Sequence, residues 1–389
     1  MKNFMLTLVG VLLFAVSTTS LARILVTKAT TNQLSLQPNI AGTGTASTKL
    51  KQGWRLGAPV KHENLTIFPV LSDELTSTDE FITLDAGIRS GKVKVTEMVA
   101  GTTRIRRIPL RQNAQSNQTA QQEVFVQSEG AQVNKVQVIN NSGKTLVLIA
   151  GEIILGGKQD RIVGHDCIVA STNTPMPIDV FCVEHGRWQA SSSRGNHTSV
   201  SLGAAPAFAP ADEVMAAPNV RANAQAKKSQ SEVWSEVADK VSKNHVSTST
   251  GTLNSVYGDK KVSGKLMAYQ SAIKARFTDK NIVGAVVAIN GKVVSADVFA
   301  SPQLFQAYQA KLLKSYALEA ISADKTAPQE VKASDAEGFL SRSDGSESAV
   351  EKDGVYRLAE KQSGSDASFE LEHTAKSAKL IHFNRVLKK

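Results

Sequence analysis

The chain has 389 residues, 45 Lys and Arg against 35 Asp and Glu, a formal net charge of +10, and only two cysteines. Aromatics are 5% of the sequence, and its densest basic cluster is just Arg104, Arg106 and Arg107. Such dispersed charge lacks the stacking platforms of a single-strand nucleic-acid binder, so nucleic acid is excluded as a partner. The charge reads as a solvated surface, with weak attraction to anionic ligands or envelope surfaces as the sharper alternative.

Lys2 and the apolar run Met5 to Val16 are followed by Ser20-Leu21-Ala22, with small residues at the −3 and −1 positions. This is the pattern of a signal peptide over 1–22, cut after Ala22, and it predicts an exported protein, periplasmic or extracellular. The run is shorter than the ~18–20 residues that span a bilayer. With no second long apolar run, no stable membrane insertion is expected after cleavage, and loss of Lys2 leaves a charge of +9.

Residues 23–50 are rich in Thr, Gln, Asn, Ser and Gly and read as a flexible leader. Leu65 to Leu71 predicts a strand, with Pro69 suggesting an edge or a bulge. Phe81, Leu84 and Ile88 share one face of a short helix that Gly91 would close. Strands are predicted at Val93–Val99, Val124–Val126, Val133–Ile139, Thr145–Ala150, Arg161–Ala170 and Ile178–His185, with a Pro-rich turn over Asn173–Pro177. A long surface loop is expected near 191–225.

Helical stripes follow at Trp234, Val237, Ala238 and Val241, and at Leu266, Ile273 and Phe277. Asn290-Gly291 between two apolar runs predicts a hairpin. Ser301-Pro302 predicts the start of a helix lined by Phe305, Tyr308, Leu312 and Tyr316. An irregular segment near 323–353 and three closing strands complete the chain. The expectation is one α+β domain over 51–389, a mostly antiparallel sheet packed with several helices.

Chemistry concentrates between Gly151 and Trp188. Gly156 and Gly157 permit close backbone approach, and their amides, with Lys158 and Arg161, suit an anion; the bland alternative is a tight turn with a Glu152–Arg161 salt bridge. Gln159, Asp160, Arg161, Arg187 and Trp188 are the candidate ligand-binding residues. Arg161 and Arg187 would grip an anionic group, Trp188 would stack on a ring or sugar, and Glu152 or Glu184 would be the general base. Cys167 and Cys182, in an exported chain, are expected to form a disulfide worth ~3 kcal/mol; a reactive Cys182 thiol is the alternative. His165, His185, Glu152 and Glu184 show no recognised metal-ligand spacing, so no metal site is expected.

The stretches GEIILGGKQDR and PIDVFCVEHGRW, carrying Gly151, Glu152, Gly157, Gln159, Asp160, Arg161, Cys182, Val183, Glu184, Gly186, Arg187 and Trp188, resemble the ARG and rhodanese-phosphatase-superfamily-associated protein domain family. The resemblance extends over about 64–385. It implies a possible link to nucleotide or ADP-ribose chemistry, which the expected export sets at odds with an NAD-linked role.

Two functions fit these residues. One is a pocket that binds or processes a small anionic ligand. The other is a non-catalytic secreted module whose motif residues form a buried salt-bridge network. No cofactor is indicated, and neither enzymatic activity nor oligomeric state is legible.

Overall fold

The computed structural model describes residues 53–98, 104–109, 121–126, 134–187 and 207–388, except 75, 325, 327–328, 353 and 375–378. The expected signal peptide and leader, and Trp188, lie outside them. Strands β1 (Trp54–Leu56), β2 (Val60–His62), β3 (Leu65–Ser72) and β4 (Phe81–Thr83) precede helix α1 (Leu84–Arg89). Next come β5 (Val93–Glu97), β6 (Arg104–Pro109), β7 (Gln121–Val126), β8 (Lys135–Asn140) and β9 (Thr145–Leu148). The motif region holds β10 (Glu152–Gly156), β11 (Arg161–Val163), β12 (Cys167–Val169) and β13 (Thr172–Cys182), and β14 (Phe208–Met215) follows. Four helices come next: α2 (Pro218–Gln225), α3 (Gln230–Lys243), α4 (Leu253–Gly258) and α5 (Lys260–Lys274). The hairpin β15 (Ile282–Ile289) and β16 (Lys292–Phe299) leads to α6 (Pro302–Ser322) and α7 (Ala333–Ser341). Strands β17 (Ser346–Lys352), β18 (Tyr356–Gln362), β19 (Asp366–His373) and β20 (Lys379–Leu387) close the chain.

The largest sheet is antiparallel, in the order β1-β3-β15-β16-β20-β19-β18-β17, with β2 also on β3. Its hairpin forms because Asn290 and Gly291 both accept positive φ, 52° and 80°, as a type I′ turn demands. Strand β20 then inserts between β16 and β19, so the C-terminal residues finish the sheet. Both faces are covered. Ile67, Leu71, Ala285 and Val287 face the main core, while Phe68, Val70, Val286 and Ala288 pack under α7 through Phe339 and Leu340. The period-2 switch between faces is why β15 is buried throughout.

A second sheet runs β14-β10-β11-β13-β8-β5, and a third β12-β9-β4 contains the parallel pair β4–β9. Helix α6 lies in the main core. Ser301 caps it by accepting from the Leu304 amide at 3.0 Å, and Pro302 occupies its first turn. The architecture is the expected α+β domain.

Several local expectations are corrected. Of the two readings of Pro69 the edge fails, since β3 lies between β1 and β15, while the bulge is met beside it: β15 shifts register between Ile282 and Gly284, opposite Leu71 and Val70. The Pro-rich stretch 173–177 is part of β13, at a register shift between Thr172 and Met176 where ladder amides are not required. Of the expected surface loop, the described part is β14 and α2, and α2 is buried along its whole length. The irregular segment contains α7 and β17. Arg161–Ala170 is not one strand: β11 and β12 lie in different sheets.

Candidate functional site

The motif residues converge, but on one another. After β10 the chain turns through Gly156 and Gly157, both at positive φ, and re-enters as β11. The Asp160 carboxylate accepts from the Gly156 amide (3.1 Å) and the Thr252 hydroxyl (2.8 Å). Arg187 closes the cluster. Its Nε donates to Glu184 at 2.8 Å, Nη2 to Asp160 at 3.1 Å, and Nη1 to the Gly157 carbonyl at 3.0 Å. Gln159 donates to the Glu184 carbonyl at 2.6 Å, and the Asp160 amide to the Glu184 carboxylate at 3.0 Å.

Glu184 is 3% exposed. Burial pushes its carboxyl up, but hydrogen bonds from Arg187, Thr250 and the Asp160 amide outweigh burial and hold it below the usual glutamate range. Asp160 goes the other way, raised by burial and by the neighbouring Glu184 charge. Glu184 is therefore ionised and bonded inward, with its basicity lowered. That suits a structural anion better than a general base.

Arg161, fully buried, donates from Nη1 to the Gln159 carbonyl at 2.9 Å and lies 3.8 Å from Glu97. Glu97 accepts from the Lys158 amide at 2.8 Å. The anticipated Glu152–Arg161 bridge is not formed, because Glu152 belongs to a different cluster. It accepts from Lys311 (2.8 Å) and the Ile149 amide (2.9 Å), and Lys311 also pairs with Asp85 at 2.9 Å. The two proposed general bases thus sit in separate clusters with no common partner.

A third cluster, wholly buried, lies where the sheets meet. Arg221 on α2 grips Asp297 on β16 through two bonds, 2.7 and 3.1 Å. Tyr316 and Asn384 donate to the same carboxylate at 2.6 and 3.0 Å. His382 on β20 bridges Asp297 (3.3 Å) and Asp166 (2.6 Å), and Asp166 also accepts from the Ala150 amide at 2.8 Å. Burial lowers the affinity of His382 for its proton, but Asp166 and Asp297 outweigh it and its pKa is pushed up to about 9. The same cations hold Asp297 well below the usual carboxylate range.

Gly151 explains the first residue of the motif. At φ +86° a side chain there is strained, and a Cβ would lie 2.5 Å from Cγ of Arg221. The missing side chain is the space through which Arg221 reaches Asp297.

The cysteine expectation fails. Cys167 and Cys182 form no disulfide. Cys167 pairs with Leu148 in the third sheet, while Cys182 ends β13 opposite Arg161 in the second. The chain changes sheets at Gly164-His165-Asp166, which carries the two residues apart. Cys182 is also a poor nucleophile. Burial and Glu97 push its thiol up, and the pull of Arg161 does not compensate.

Nor do the candidate metal ligands meet: His165 lies 3.8 Å from Asp179, and His185 packs edge-on against Trp234. Among the described residues, no group of three His, Cys, Asp or Glu side chains is placed to hold a metal ion. A hollow of ≈ 250 Å³ lies elsewhere, between α2 and α3, lined by Asn219, Asn223, Lys227 and Glu232 among others.

Sequence reasoning missed Arg221, Asp297, Lys311 and His382. For Asp297 and His382 the available signal was a titratable residue interrupting an apolar strand, as in Val293–Phe299 and Leu380–Phe383; Lys311, on α6, lies outside that pattern. Arg221 gave none, since its segment has no apolar periodicity.

Fold and clusters together define an α+β domain whose sheets are tied by buried ion pairs. The chain belongs to the ARG and Rhodanese-Phosphatase-superfamily-associated Protein domain family, whose model matches residues 53–386. No curated protein and no solved structure matches it. No helix among the described residues is long and apolar enough to cross a membrane.

Proposed function

We propose that this chain is an exported, non-catalytic structural or binding module, and that its family motif is a folding device. One observation carries this reading. The guanidinium of Arg187, the group best suited to grip a ligand anion, is spent on Glu184, Asp160 and the Gly157 carbonyl. Removing those bonds to admit a ligand would leave two carboxylates facing each other in a buried site, which is costly. Export rests on the N-terminal pattern of Lys2, the Met5–Val16 run and Ser20-Leu21-Ala22.

A second reading, a small anion held near Gly156–Arg161, draws on a different observation. Nε and Nη2 of the fully buried Arg161 make no hydrogen bond among the described residues. Such an anion could come from a nucleotide or ADP-ribose, the chemistry suggested by the family's associations.

A thermal-shift screen of the intact protein with phosphate, nucleotides, ADP-ribose and sugars separates the two. The structural reading expects no compound to raise the melting temperature. A stabilising hit that disappears in Arg161→Met, with circular dichroism showing the variant folded as wild type, would establish the anion site instead.

A further inference from the structure

Helix α5 presents a solvent face unlike any other helix in the described chain. Lys260, Lys261, Lys265, Lys274 and Arg276 are exposed on it or just past its end, with Lys280 in the loop beyond. From 260 to 278 there is no Asp or Glu. Among the described residues none of these six cations is ion-paired. Helix α3, of similar length, shows the ordinary pattern: Lys240 pairs with Glu236 and Glu319, and Lys243 with Asp239 and Asp324.

The carboxylates around α5 are turned to other tasks. Asp259 caps the helix by accepting from the Lys261 and Val262 amides. Asp279 accepts from the Asn281 amide, and Glu63 from the Tyr269 hydroxyl on the helix's inner side. Of the elements packed on α5, β2 and α4 contain no acidic residue, and the one in α6, Glu319, is buried against Lys240.

The inner face is ordinary core: Val262, Leu266, Tyr269 and Ile273 are buried. At 100° per residue the outer face centres on Gly264, Ala268, Ser271 and Ala275, with lysines along both margins. Met267 lies on it and is 59% exposed, the only large hydrophobic side chain so exposed among the described residues. The result is a flat strip about 22 Å long, small along its middle, cationic along its sides and carrying one apolar tip.

We propose that this face docks the protein peripherally on an anionic lipid surface. Phosphate headgroups match a double row of unpaired lysines that can snorkel, and small central residues let the helix lie close. Met267 supplies the shallow apolar contact of an interfacial helix. A nucleic acid fits less well, since no aromatic side chain stands on the face to stack a base. The proposal concerns the surface of the folded domain and requires no insertion.

The test is co-sedimentation of the full chain with vesicles of phosphatidylglycerol and phosphatidylethanolamine, against vesicles of phosphatidylcholine alone. Binding is expected to the anionic vesicles only, weakening as salt rises from about 50 to 300 mM. The variant Lys260→Glu/Lys265→Glu/Lys274→Glu should bind at least ~100-fold more weakly, at roughly fivefold per basic residue neutralised near the surface. Both proteins carry the same N-terminal apolar run, so the difference reports α5. These positions are solvent-exposed, so an unchanged melting temperature serves as the folding control. Equal binding of variant and wild type, or no preference for anionic vesicles, overturns the proposal. So does tighter binding to single-stranded DNA with the same dependence on the three lysines, which would make the face a polyanion site.

Discussion

Asp297→Ala is expected to lower the unfolding free energy by ~3–5 kcal/mol, because it removes one partner from a buried ionic cluster and leaves the others charged. Arg221 would lose both of its bonds to the carboxylate, Tyr316 and Asn384 one acceptor each, and His382 one of its two anions. All of these groups are buried, so water cannot replace the lost partner without opening the interface between α2, α6 and the large sheet. Asn at the same position keeps the volume but not the charge, and should recover only part of the loss. Urea denaturation of the three proteins checks this. A cost below 1 kcal/mol for Asp297→Ala would mean that the cluster is not a structural tie.

Alkaline pH should weaken the protein through His382. Its folded pKa, about 9, lies above the ordinary histidine value near 6.5, so the folded state holds this proton more tightly than the unfolded chain does. That stabilisation is fully present below about pH 6.5 and is lost as pH rises through about 9. The difference corresponds to ~3 kcal/mol for this one group. The groups facing it are Asp166 from the β11–β12 turn, Asp297 from β16 with its partners Arg221 and Tyr316, and the ring of Phe299, on which Tyr308 stacks in turn. Of the ionisable ones, Arg221 stays charged, and burial keeps Tyr316 and Tyr308 neutral well beyond this range. Stability measured from pH 6 to 10 should fall across that window, and His382→Gln should flatten the fall. A wild-type profile that is flat, or that rises, contradicts the assignment.

How much of this was legible follows from what each segment shows locally. The β15–β16 hairpin and α6 could be read because their boundaries carry chemistry, Asn290-Gly291 in one and Ser301-Pro302 in the other. Helix α2 could not. Its residues are buried on every side, yet four of them, Asn219, Arg221, Asn223 and Gln225, are polar, so PNVRANAQ offers no apolar stripe and looks like loop. Strand β10 was hidden between Gly151 and the Gly156-Gly157 pair, and the first half of β13, ahead of the predicted Ile178–His185 stretch, by prolines that sit where its register slips.

The site divides the same way. Glu184 and Arg187 are three residues apart, and their pairing lies within reach of local reasoning. The partners of Glu152 and Asp166 are 159 and 216 residues away, at Lys311 and His382. Only the sheet topology brings them together, and the order in which β20 joins β16 is not written in either strand alone.

The account stands most directly on Arg187. Equilibrium urea denaturation of wild type and Arg187→Ala, with no ligand present, is the measurement that decides it. If the motif is a folding device, the substitution strands Glu184 and Asp160 as neighbouring, poorly solvated anions, and the midpoint should fall by the equivalent of ~3 kcal/mol. An Arg187→Ala protein as stable as wild type would contradict the account, and would return this arginine to the role of a group held ready for a ligand.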